Sequence, residues 1–160
     1  MDKIYVGKIV STHGIKGEIK IISDFEFKDK VFKVGNKLII DEAIYEIKSY
    51  RHHKNFEMVT LNEYKDINEV LFLIKKKVYI FKDELELLAN EVLDEELLTY
   101  RVITSDGEEG YIKEIFFASP SNKIIRVMFD NEVLIPIKSP MLKEIRKDKK
   151  EIVIELINGM

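Results

Sequence analysis

From Glu18 the chain runs EIKIIS, polar and apolar residues by turns. A period of two places the apolar side chains on one face of an extended strand, whereas a helix needs them every three or four residues. Residues 4–10, 18–23, 36–40, 43–50 and 56–61 read as strands, five within about sixty residues. Only Asp41 and Glu42 separate the third from the fourth, a hairpin-length gap. The period changes at DINEVLFL, residues 66–73. Asp66 can cap a helix, Glu69 follows three residues later as in a capping box, and Val70, Leu71 and Leu73 sit at helical spacing. One short helix is predicted there. KKKVYIF, residues 75–81, returns to strand character as a sixth strand that would close a small antiparallel barrel and remove its exposed edges.

Between Asp83 and Leu98, in DELELLANEVLDEELL, β propensity gives way to Leu and Glu without glycine or proline. Strands then resume. YRVITS and EEGYIKEIFF flank Asp106-Gly107, KIIRVMF and EVLIPI flank Asp130-Asn131, and KEIVIEL alternates near the end. Pro120, Pro136 and Pro140 fall at loops or strand ends, where a missing ladder donor does little harm. The prediction is a mainly β chain of two small β-barrels: a six-stranded domain over 1–83, a leucine-rich linker over 84–98 and a second barrel over 99–160.

No run reaches the roughly 18 apolar residues of a membrane span, and the first ten residues lack the basic and apolar regions of a signal peptide, so a cytoplasmic protein with no membrane partner is expected. The chain has no cysteine, which excludes disulfides, thiolate nucleophiles and cysteine-based metal centres. A net charge of −3 argues against a surface that clings to nucleic acid everywhere. Yet the charge is uneven, with 16 basic and 15 acidic side chains up to Leu88 and 10 and 14 beyond it. Any RNA contact must be local.

The stretch STHGIKGE, residues 11–18, sets His13 and Lys16 around Gly14 and Gly17. Acid–base catalysis by His13 would need a nucleophile or carboxylate partner, and the loop offers only Ser11 and Glu18, with no nucleophile elbow. The glycine spacing is wrong for a phosphate-binding loop, and the segment enters a strand rather than a helix. A turn in which Gly14 and Gly17 take positive φ fits better. In YRHHKNF, residues 50–56, neighbouring His52 and His53 on a strand would point to opposite faces, which disfavours a shared metal. Arg51, Lys54 and a histidine form either a phosphate-contacting hairpin tip or a solvated turn. Further basic groups stand at Lys75, Lys76 and Lys77 and at Lys143, Arg146, Lys147, Lys149 and Lys150. NEVLDEELL, residues 90–98, combines four acidic side chains with Val92, Leu93, Leu97 and Leu98, either a strap packed on a barrel or a docking surface for a basic protein.

In order, VGKIVSTHGIKGEIKIIS closely resembles the amino-terminal signature of the RimM family of 16S rRNA processing and ribosome maturation factors. RHHKNFEMVTLNEYKDINEV is similar to that family's following hairpin and short helix. SDGEEGYIKEI, SPSNKIIRV, VLIPI and KEIVIEL resemble its carboxy-terminal PRC barrel. The resemblance implies a monomeric, cofactor-free and metal-free assembly factor, not an enzyme. Its implied partners are the immature 30S subunit, the 3′ domain of 16S rRNA and small-subunit ribosomal protein nineteen. A small RNA-processing enzyme and a β-barrel adaptor for another protein are the alternatives. Carried over, His13, Gly14, Lys16, Gly17 and Glu18 match the N-terminal motif, and Arg51, His53 and Lys54 match the basic hairpin. With Lys147, Lys149 and Lys150 these are the candidate RNA or ribosome contacts. Glu91, Val92, Leu93 and Asn122 are the candidate docking residues for the ribosomal protein. Val92 and Leu93 stand where many members carry paired tyrosines, and Asn122-Lys123 stands for the family's Asn-Asp pair.

Overall fold

The computed structural model describes residues 2–156. The chain divides into two compact units, Met1–Glu86 and Leu87–Met160, each with its own sheet and apolar core. The first holds β1 (Lys3–His13), β2 (Glu18–Ile22), β3 (Lys37–Ile40), β4 (Ala43–His53), β5 (Phe56–Leu61) and β6 (Lys77–Phe81), hydrogen-bonded in the order β1-β2-β5-β4-β3-β6. β6 pairs back onto β1, so the sheet closes into a barrel. Ile9, Ile19, Ile21, Leu38, Ile47 and Val59 fill its interior. The period of two has a direct consequence on β2: Ile19 and Ile21 are buried, so Glu18, Lys20 and Ile22 lie on the outer face.

The helix expected over 66–73 is instead two single 3₁₀ turns, Ile67–Glu69 and Leu71–Leu73. Asp66 does cap the first, accepting from Asn68 N–H at 2.7 Å, but Glu69 reaches back to Lys65 N–H at 3.1 Å. Two constraints work against an α-helix. Glu69, Val70 and Leu73 donate three residues back, to Asp66 O, Ile67 O and Val70 O at 3.0, 3.1 and 3.0 Å, and the buried Val70 and Leu73 are three residues apart, the repeat of a 3₁₀ turn. The period reading also omitted a one-turn helix, α1 (Lys28–Val31), whose only buried residue is Val31. At the β3–β4 turn Asp41 and Glu42 take φ of 50° and 67°, and Lys76 and Lys3 hold their carboxylates at 2.7 Å each.

The second unit opens with α2 (Asp94–Leu97), followed by β7 (Arg101–Thr104), β8 (Glu109–Ser119), β9 (Asn122–Met128), β10 (Glu132–Pro136), β11 (Leu142–Arg146) and β12 (Glu151–Ile154). Its sheet runs β10-β9-β8-β7-β12-β11, with β7 and β12 parallel. Strand β11 escaped the sequence reading because its lysines and arginine read as a surface cluster. Where a second barrel was expected, the sheet shows no ladder between its end strands β10 and β11. Pro136 ends the first and Pro140 precedes the second, and neither can donate to a ladder. The sheet still wraps one core, in which Ile135, Met141, Ile152 and Ile154 share a cluster with Val102 and Ile125. Residues of the leucine-rich segment belong to both units: Leu85 packs on the first core, Val92 and Leu97 in the second.

Candidate functional site

In the first unit the end of β1, the start of β2 and the β4–β5 hairpin meet at one corner of the barrel. His13 pairs with Glu18 across the β1–β2 hairpin, and His53 with Phe56 across the β4–β5 hairpin. The turn between His13 and Glu18 depends on its glycines: Gly14 and Gly17 have φ of 71° and 88°. Gly17 is also pressed on the chain before the first 3₁₀ turn, where a Cβ would stand 3.1 Å from Asp66 O. Lys54 takes the left-handed position of the other hairpin, with φ of 56°.

Arg51 joins the two hairpins. Its Nε donates to Glu18 Oε2 at 2.9 Å and its Nη2 to Glu18 Oε1 at 2.7 Å. That hydrogen bond holds the Glu18 carboxyl below its ordinary value despite partial burial, with His13 and His53 adding smaller attractions. The His13 and His53 rings lie 6.5 Å apart, centroid to centroid. Loss of hydration and then the charges of Arg51, Lys54, His13 and Lys20 push the His53 imidazole below its ordinary value. A cluster of cations has therefore been assembled around His53.

Lys20, which sequence reasoning passed over, belongs to that cluster; its Nζ sits 5.1 Å from the Phe56 ring centroid. The alternation of β2 was the available signal, because it places Lys20 on the outer face beside Glu18. Lys16 lines a groove with Lys48, Tyr64 and Lys65. His52 and His53 diverge: His52 Nδ1 lies 2.9 Å from Oε2 of the buried Glu57, whose Oε1 accepts from Tyr50 O–H at 2.7 Å. Burial, reinforced by that carboxylate, pushes the Tyr50 phenol up to about 12. Among the described residues no three His, Asp or Glu side chains gather as metal ligands would.

The remaining candidates lie in the second unit. Lys147, Lys149 and Lys150 form the exposed turn from β11 to β12, and Lys147 Nζ donates to Leu88 O at 2.7 Å. Val92 and Leu93 are buried, 7% and 4% exposed, and Val92 packs with Leu97 and Tyr100 in the core. Asn122, exposed, opens β9, and its neighbour Lys123 binds Asp94 at 2.6 Å, tying the sheet to the first residue of α2. Lys123 thus finds an acidic partner within its own unit.

Two β units, one with a cationic corner on a closed barrel and the other with a basic turn and an acid-rimmed strap, make a mainly β protein whose surface chemistry suits non-covalent recognition. Residues 4–85 match the family model described as the RimM N-terminal domain. The chain is 35% identical over 167 residues to the ribosome maturation factor RimM of Ligilactobacillus salivarius, covering all of this chain and 99% of that protein. It is 34% identical over 170 residues to the RimM of Listeria monocytogenes, covering 100% and 99%. The chain belongs to the RimM family.

Proposed function

We propose that this chain is a ribosome maturation factor that binds the immature head of the 30S subunit and assists its assembly and 16S rRNA processing without catalysis. The 3′ domain of 16S rRNA meets the cationic corner of His13, Arg51, His53 and Lys54 and the basic turn of Lys147, Lys149 and Lys150, while Lys16 extends the contact from the glycine turn. The second unit, a PRC barrel in kind, presents Glu91, Asn122 and the acidic rim of its strap to small-subunit ribosomal protein nineteen. The protein works as a cytoplasmic monomer without metal or cofactor.

One observation carries this reading: in a chain of net charge −3, Arg51 clamps two hairpins together, and the clamp gathers His13, His53, Lys54 and Lys20 around it at one corner. Such a concentration meets a polyanion locally, and phosphate contacts supply affinity without covalent chemistry. A factor that prefers an assembly intermediate over the mature particle shifts the population by that difference in affinity and then leaves. Sedimentation tests it: the protein is expected to travel with immature small subunits and to be largely absent from mature ones. Equal binding to both overturns the reading.

A further inference from the structure

Two lysines outside the corner face each other across neighbouring strands. Lys8 of β1 stands directly opposite Lys77 of β6, and on its other side opposite Ile22 of β2. Both lysines are exposed, and Ile22 is 47% exposed, so this row lies on the outside of the barrel. Like charges set opposite one another in a ladder destabilise it. Three other lysines of the unit show that relief is available to a surface ammonium group: Lys3 pairs with Glu42, Lys48 with Glu46 and Glu63, and Lys76 with Asp41. Among the described residues neither Lys8 nor Lys77 has an acidic partner.

The adjoining row leads back to the corner. Across β4, β5, β2 and β1 the register reads Arg51, Met58, Lys20, Ser11. Met58 faces outward in this row yet is completely buried, with the long stems of Arg51 and Lys20 on either side. Basic side chains therefore stand on the outer face from β4 to β6, five neighbouring strands that span about 20 Å at the usual strand spacing.

We propose that Lys20, Lys8 and Lys77 extend the cationic corner into a phosphate track along the outside of the barrel, holding an RNA backbone without regard to base sequence. The proposal rests on the RNA-binding reading above and names what it leaves open, the path of the strand. Lysine ammonium groups act as point charges on phosphate and carry none of the forked geometry that reads a base edge, so the track adds affinity and not sequence preference. RNA also resolves the unfavourable pair, since a phosphate between two ammonium groups turns repulsion into shared attraction.

The experiment titrates the full-length protein against a 16S rRNA 3′-domain fragment and an unrelated RNA of equal length, at salt concentrations from about 50 to 200 mM. The double variant Lys8→Gln with Lys77→Gln is compared with wild type and with Lys33→Gln plus Lys37→Gln, which removes two exposed lysines elsewhere on the unit. The track variant is expected to flatten the slope of log affinity against log salt by about one to two, equally on both RNAs, with a melting temperature no lower than wild type. The control pair should leave the slope in place. If wild type binds RNA and the track variant keeps its slope, or the control flattens it as much, the track is overturned while the RNA-binding reading stands. If wild type binds neither RNA, that reading falls and takes the track with it.

Discussion

Arg51 grips Glu18 with a two-pronged fork, 2.9 and 2.7 Å, and so fastens the tip region of one hairpin to the first residue of the strand leaving the other. A fork of this kind fixes geometry as well as charge. The fork engages Nε and Nη2 and leaves Nη1, with the imidazoles and ammonium groups around it, open to a ligand, which makes Glu18 a positioning residue for the whole corner.

Glu18→Gln is expected to loosen that corner with a signature in pH. Because the folded carboxyl titrates below its ordinary 4.5, the stability it contributes is present above that value and disappears as pH falls through the lower folded one. Urea midpoints should favour wild type at neutral pH, by a small margin suited to a partly exposed pair, and converge as pH falls through the lowered pKa of the folded carboxyl. A gap that persists in acid would mean that Glu18 contributes through packing and not through charge.

His53 has the opposite chemistry. Its folded imidazole titrates below the ordinary 6.5, so the fold resists protonation and loses stability as pH falls from that value toward the lower folded one. A bound polyanion reverses the preference. RNA affinity is therefore expected to rise severalfold between about pH 7.5 and pH 5.5 in wild type and markedly less in His53→Ala. NMR titration of the ring should show its pKa moving up when RNA is added. A ring that titrates identically with and without RNA removes His53 from the interface.

Gly17→Ala tests whether the glycine turn is built for its conformation. The φ of 88° disfavours any side chain, and a new Cβ would press on Asp66 O at 3.1 Å. A loss of about 1–3 kcal/mol is expected in chemical denaturation. Gly14→Ala, with open space around it, should cost less, because only its φ of 71° opposes it. Equal costs at both positions would show that the contact with Asp66 contributes nothing.

Strands were readable wherever one face was buried and the other wet, as in β2, because alternation is a local record of a tertiary fact. Strand β11 was not: Lys143, Glu144 and Arg146 hide a ladder whose partner, β12, lies beyond a turn of four charged residues. The parallel pairing of β7 with β12 was equally invisible, since about fifty residues separate Arg101 from Glu151 and no local pattern encodes such a register. At the candidate site, His13 and Arg51 drew attention through their motifs. Lys20 did not, because its importance comes from the register that sets it beside Arg51 across Met58.

Val92 and Leu93 pose the last question, whether the strap docks a ribosomal protein or holds its own unit together. Their burial predicts the second for these two side chains. Val92→Asp would place a carboxylate among Leu97, Tyr100 and the rest of that core, and the expected cost is at least about 3 kcal/mol, read as a large fall in melting temperature. On the function proposed above, docking uses the strap's outer rim. Glu95→Lys with Asn122→Lys alters exposed positions only, so its melting temperature should match wild type while binding to purified small-subunit ribosomal protein nineteen weakens by about tenfold, as a like-charge juxtaposition would produce. Unchanged binding in the rim variant, together with a Val92→Asp protein that folds normally but no longer binds, would move the interface from the rim to the buried pair and require the strap to open when its partner arrives.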